Sequence, residues 1–213
     1  MLFKMIRLSC RAIQNEIQMN KEEQMKRYLL VMLCLLFLPM TANAGTAALE
    51  FNDESAEMRL DVPLSEDSYG KVMVGGRLLF NDDEETEMAS VEFKVVGDPG
   101  SVPGLEVGAG FVGYVGESHD VYDFNNVGIA LMADYAPPTL QGLGFSVRAS
   151  YAPDIFSWQD SDGLFEFNTR VYYALTPKVK VYAGYQSIEG EIDGFNQDVD
   201  IDKETRVGLM LVF

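Results

Sequence analysis

Cysteine is nearly absent from this chain of 213 residues: the only two, Cys10 and Cys34, both lie among the first 44. A chain exported past that point carries no thiol, which excludes a disulfide scaffold and a cysteine metal cluster. Histidine occurs once, at His119, and tryptophan once, at Trp158, so no Cys/His metal set can be assembled. Basic residues are scarce, 16 Lys+Arg against 33 Asp+Glu. That balance excludes nucleic-acid binding, which needs a basic face for the phosphates. Long apolar runs are missing too. The one candidate, Leu29–Met40, is shorter than the roughly 20 residues of a spanning helix.

That run follows Lys26 and Arg27 and precedes Ala42-Asn43-Ala44. A basic start, a short apolar core and an A-x-A ending predict a secretory signal peptide over 25–44, starting at Met25 and cleaved after Ala44. Cys34 sits inside the apolar core with no small residues before it, which argues against a lipoprotein site. Residues 1–24, with Lys4, Arg7, Arg11 and Lys21 against Glu16, Glu22 and Glu23, read as a start assigned too far upstream or as a long n-region. Neither gives them a role in the mature fold. Removing 1–44 takes six basic and three acidic residues from the totals, leaving 10 and 30, a net charge of −20.

What is present is period-two alternation along almost all of 45–213, the mark of strands with two unlike faces. Ten strands are predicted: 47–52, 56–62, 72–80, 88–96, 105–115, 127–135, 143–151, 165–175, 179–187 and 205–213. The last eight reach the roughly 9 to 11 residues that cross a bilayer, so eight is the alternative count. Both are even, as in bacterial barrels. The connections alternate in character. Asn81–Glu87, Gly116–Asp123, Pro153–Gly163 and Glu189–Glu204 are acidic, whereas Gly97–Gly104, Ala136–Gly142 and Thr176-Pro177 are compact and rich in Gly and Pro. Long outer loops and short periplasmic turns show this asymmetry.

The polar faces carry Arg59, Arg77, Lys94, Arg148, Arg170, Lys180 and Arg206 beside Glu57, Asp61, Glu92, Glu106, Asp134 and Glu166. Cations and carboxylates are close to balance, which suits a paired ionic network inside a barrel whose apolar face meets lipid. Tyr135, Tyr151, Tyr173 and Tyr185 lie on the apolar face near strand ends, as an interfacial girdle requires. A soluble β-sandwich or lipocalin-like barrel, with the faces reversed, is the alternative. The chain ends Thr205-Arg206-Val207-Gly208-Leu209-Met210-Leu211-Val212-Phe213. Val207, Leu209, Leu211 and Phe213 share one face, and the ending resembles the terminal, assembly-signal strand of outer-membrane β-barrels. The segments Leu49-Glu50-Phe51-Asn52, Gly76-Arg77-Leu78-Leu79-Phe80-Asn81-Asp82-Asp83 and Gly104-Leu105-Glu106-Val107-Gly108, with that strand, resemble the YfaZ family. The resemblance implies an outer-membrane barrel, porin-like, with no catalytic motif.

Two constellations invite chemistry. His119 stands in Glu117-Ser118-His119-Asp120, where an imidazole beside a carboxylate could serve as a base; a barrel hydrolase is thus the least favoured alternative, since neighbours on an extended chain point apart. Asp198-Val199-Asp200-Ile201-Asp202 places three carboxylates on one side of an extended stretch. Lys203 stands where a calcium loop requires Gly, so an EF-hand is excluded. Together with Asp82-Asp83-Glu84-Glu85, the stretch is expected to bind divalent cations only loosely. The expectation is an all-β, closed antiparallel transmembrane barrel without enzyme activity, cofactor or dedicated metal site. Its partners would be outer-membrane lipid, lipopolysaccharide and the barrel-assembly machinery. A plugged barrel acting through its acidic outer loops is the alternative to a porin-like passage.

Overall fold

A computed structural model describes residues 45–67, 70–119, 122–192 and 198–213. The expected signal peptide, its cleavage residues Ala42 and Ala44, and the extension 1–24 lie outside them. Strands account for most of the chain: β1 (Thr46–Phe51), β2 (Ser55–Glu66), β3 (Lys71–Asn81), β4 (Thr86–Gly97), β5 (Leu105–Ser118), β6 (Tyr122–Tyr135), β7 (Leu143–Ala152), β8 (Ser157–Gln159), β9 (Ser161–Thr176), β10 (Val179–Ile192) and β11 (Asp198–Val212). Every pairing is antiparallel, β7 pairs directly with β9, and β1 pairs with β11 from Thr46↔Val212 to Phe51↔Val207. The sheet therefore closes on itself as a barrel of ten strands, with β8 an extra ribbon on β6. Ten, not eight, is the count. Closure leaves no edge strand unpaired, which is what allows a sheet to stand in lipid. No helix among the described residues is long and apolar enough to cross a membrane.

Rows of outward side chains can be followed around the wall by register. Phe51, Val207, Ala183, Val171, Phe145, Tyr135 and Leu105 form one such row. Phe93, Phe111, Ile129, Tyr151 and Phe165 form another. Phe111 is 64% exposed and Leu131 61%, an arrangement that water penalises and lipid accepts. The charged face is the buried one. That inversion separates this barrel from a soluble one.

Both described termini lie at the end with the Gly/Pro turns, where Gly45 and Phe213 exchange backbone hydrogen bonds of 2.9 and 3.0 Å. At that same end Gly104 has φ +81, and a Cβ there would collide with the Ala136 carbonyl, so only glycine fits the turn. The opposite, acidic end departs from the expected loops. β5 runs to Ser118 and β6 starts at Tyr122, while Glu189–Glu204 is mostly β10 and β11. Polarity marks these segments as loops in sequence, yet their backbones go on pairing above the apolar band. Glu87, Glu117 and Asp123 face one another there as an acidic row. A bulge also breaks the expected grouping of aspartates. Ile188 pairs with Asp202 and Glu189 with Asp200, leaving Ile201 as the extra residue. Ile201 and Asp202 both turn inward while Asp200 stays exposed, so no single face carries the carboxylates.

Candidate functional site in the barrel lumen

Alternation sends one polar side chain per two residues into a tube of small bore, where charges must find partners across the diameter. Arg77 on β3 donates to both carboxylate oxygens of Glu166 on β9, at 2.6 and 3.0 Å. Glu166 also lies 2.8 Å from Arg148 Nη1 and accepts the Tyr114 hydroxyl at 2.7 Å. Arg148 donates to Glu92 at 3.0 Å, Glu92 lies 3.3 Å from Lys94, and Lys94 lies 2.6 Å from Asp61. On the other side of the bore Glu57 takes Arg59 at 2.7 Å and the Gln186 amide at 3.0 Å. Gln186 reaches on to Asp202, which pairs with Arg206 and accepts from Asn81 at 2.9 Å. Arg170 pairs with Glu50 and stands over the Tyr182 ring.

Arg59, Arg77, Lys94, Arg148, Arg170 and Arg206 thus meet Glu50, Glu57, Asp61, Glu92, Glu166 and Asp202, six of each sign. The girdle has no net charge. Burial without partners would cost several kcal/mol per ion, and pairing at these distances offsets it. Beside the Arg59 Nε–H, which is buried without a hydrogen-bond partner, lies a cavity of about 10 Å³ lined by Asp61, Gly75, Arg77, Ser90, Glu92 and Arg148. It has room for one water molecule.

Two further layers flank the girdle. Toward the turn end, Tyr172 donates to Asp134 at 2.6 Å and Lys180 sits 4.3 Å over the Tyr172 ring. Toward the acidic end, Leu79, Met88, Val112, Phe124, Leu164, Ile188 and Ile201 pack together inside the bore. The sequence did not disclose this apolar layer as a unit: Leu79, Met88 and Val112 lie in expected strands, Phe124, Leu164 and Ile188 lie just beyond the expected strand ends, and Ile201 lies in a segment read as a loop. Glu106 also needs correction: it has inward parity but stands exposed at the mouth, outside the ionic network. Glu50, Asp202, Gln186 and Tyr114 also belong to the network; Asp202 was expected in an outer acidic stretch, and the other three were not named for the lumen. Alternation with the outward Leu49 and Phe51 could have identified Glu50; the bulge hid Asp202.

Val207, Leu209 and Leu211 face outward on β11, and the Phe213 ring packs on Gly45. His119 Nε2 lies 3.2 Å from Glu84, and its backbone N–H donates to the Glu84 carbonyl at 3.2 Å. Ser118 is buried against Thr86 and points away, so the pair forms no nucleophile–base arrangement. Asp120 lies outside the described residues. At the rim, carboxylate oxygens of Glu54, Asp83 and Glu204 lie within 4.8 Å of one another. Asp83 and Asp53 push the Glu54 carboxyl above its ordinary value, and burial pushes Glu84 up against the opposing pull of His119.

An even, closed antiparallel sheet with an apolar exterior, a charged bore and one acidic end defines a transmembrane β-barrel of the bacterial outer-membrane kind. The chain belongs to the YfaZ family, whose model, described as YfaZ precursor, matches residues 25–213. Among curated proteins none matches. Solved structures with the same general form include the KdgM porin, at 13% identity and a TM-score of 0.42 over 80% of this chain and 99% of that one. The outer membrane channel DcaP of Acinetobacter baumannii is another, at 10% identity and 0.37 over 79% and 62%. At these scores the likeness carries nothing about what passes through the barrel.

Proposed function

We propose that the protein is a porin-like barrel whose ionic girdle forms a narrow constriction for water and small ions, closed at the acidic end by the apolar layer. The observation that carries this reading is a bore polar through its whole middle section. Buried ion pairs add little stability compared with well-packed apolar residues, so a lumen built from them serves something other than holding the wall together. With six charges of each sign, the constriction offers no strong preference between anions and cations.

One observation favours a second reading, a permanently plugged barrel acting through its acidic rim. The apolar layer fills the bore, and small barrels leave little interior that side chains do not occupy. Single-channel recording on the full protein, purified from outer membranes into a planar bilayer, decides between them. Brief, weakly selective openings support the constriction. A silent barrel that still shows a heat-modifiable gel band refutes conduction and leaves the plug.

No catalytic step is part of the proposal, since His119 is engaged in joining two outer turns. Residues 25–44 are proposed as the export signal, and the family match that begins at 25 supports this. The outward Val207, Leu209, Leu211 and terminal Phe213 are proposed as the strand read by the assembly machinery. Lipopolysaccharide, with loosely held divalent cations, is proposed at the acidic rim.

A further inference from the structure

The connection from β7 to β9 is unlike the acidic turns at 52–54 and 82–85. It presents Ile155 at 76% exposure, Phe156 at 49% and Trp158 at 52%, a cluster of bare apolar side chains that water disfavours. The segment is firmly held in this position. The Phe156 N–H donates to the Pro153 carbonyl at 2.9 Å, the Ser157 hydroxyl donates to the same oxygen at 3.1 Å, and Asn126 Nδ2 donates to Ser157 Oγ at 2.8 Å. The Asp160 N–H closes the far side on the Asp123 carbonyl at 3.1 Å.

Register fixes the direction. Asn125 pairs with Trp158, and facing residues in an antiparallel pair share a face. Phe124 and Asn126 are buried inside the barrel, so Asn125 and Trp158 point out. On the same wall, closer to the mid-plane, lie the outward Ile129, Tyr151 and Phe165. The connection also fills a notch. β7 stops at Ala152, while β6 and β9 continue to Tyr122 and Ser161, and β8 pairs with the stretch of β6 that β7 leaves bare. Asp154, Asp160 and Asp162 flank the apolar residues in sequence.

We propose that Ile155, Phe156 and Trp158 form a foot that rests in the lipid leaflet surrounding the acidic end, at the boundary between headgroups and acyl chains. The occupant is lipid because, along β6, Asn125 alone separates the Trp158 level from the outward Val127 and Ile129 of the wall that already faces lipid. Indole rings concentrate at that boundary, with an apolar body and one N–H donor. The inference rests on the membrane placement of the barrel and is independent of conduction.

Trp158 is the single tryptophan, so the fluorescence of the unaltered protein reports this one position. The full protein is reconstituted into phosphatidylcholine–phosphatidylglycerol vesicles carrying bromine either near the glycerol or near the chain end. Vesicle flotation of the same sample shows that the barrel is inserted, which separates a failed foot from a failed membrane reading. Stronger quenching by the shallow bromine than by the deep one, with little quenching by aqueous iodide, is the expected result. Quenching by iodide alone overturns the proposal and places the loop in water. Protection from bromine and iodide alike overturns it in favour of a protein partner or a second copy. Replacing Ile155 and Phe156 together by Asp is expected to reduce shallow quenching and raise iodide quenching while the heat-modifiable band persists; unchanged quenching also overturns it.

Discussion

Replacing Glu166 by Gln tests the girdle directly. The carboxylate is fully buried and receives the Arg77 fork, Arg148 and the Tyr114 hydroxyl. A neutral amide removes the charge from the middle of two guanidinium groups without changing the volume. Breaking a buried pair by neutralising one partner costs about 3–5 kcal/mol, because the remaining charge stays uncompensated. Here each arginine keeps a second carboxylate, Glu57 at 3.7 Å from Arg77 and Glu92 at 3.0 Å from Arg148, so the lower end, about 3 kcal/mol, applies. Urea unfolding in detergent, followed by Trp158 emission and by heat-modifiable mobility, measures it. The double variant Arg77→Met with Glu166→Leu should recover much of the loss, since it buries no unpaired Arg77. A loss for Glu166→Gln of under about 1 kcal/mol, the range of exposed pairs, would refute a desolvated girdle.

Three further outcomes are expected. Leu131→Arg, on the outward face, should destabilise the barrel in lipid by about 2–4 kcal/mol, measured by the same urea titration in bilayers; a soluble barrel would barely respond. Leu164→Asn, in the apolar layer, should lengthen openings in planar bilayers, and unchanged recordings would move the closure elsewhere. At the rim, the raised Glu54 carboxyl means protonation favours the folded turn: its contribution is complete below the ordinary value of 4.5 and is lost as pH rises through the higher folded value. Glu54→Gln should therefore slow amide exchange at Ser55 at pH 7 and make no difference at pH 4.

The wall was legible because the constraint that writes it is local. Every second residue from Val91 to Val95, or from Val207 to Leu211, meets lipid, and the period survives whatever lies across the barrel. The end of the wall was less legible. Gly116–Asp123 looks like a loop because its side chains are polar, yet strand pairing is a backbone property and continues past the membrane. Ile201 and Asp202 could not be placed from sequence, since a bulge shifts parity by one residue and nothing in Asp-Val-Asp-Ile-Asp announces it. The same shift, with strands longer than expected, concealed the layer of Leu164, Ile188 and Ile201. Pairings such as Arg77 with Glu166 depend on which strands face each other across the bore, and a single sequence does not carry that relation.

The cross-bore bonds have a kinetic consequence. Arg77 and Glu166 are 89 positions apart, Asn81 and Asp202 121, and Gln186 and Glu57 129. Hairpins between neighbouring strands form early because they close short loops, and contacts of such long separation come late. Until β1 meets β11, the half-built sheet carries lipid-compatible side chains on one surface and unneutralised guanidinium and carboxylate groups on the other. Water has to stay on that second surface through most of folding. Closing the β1–β11 seam and pairing the charges across the bore are then one cooperative event, the last and slowest, and substitutions at Glu50 or Arg206 should act on its rate more strongly than equal losses of contact in β4 or β5.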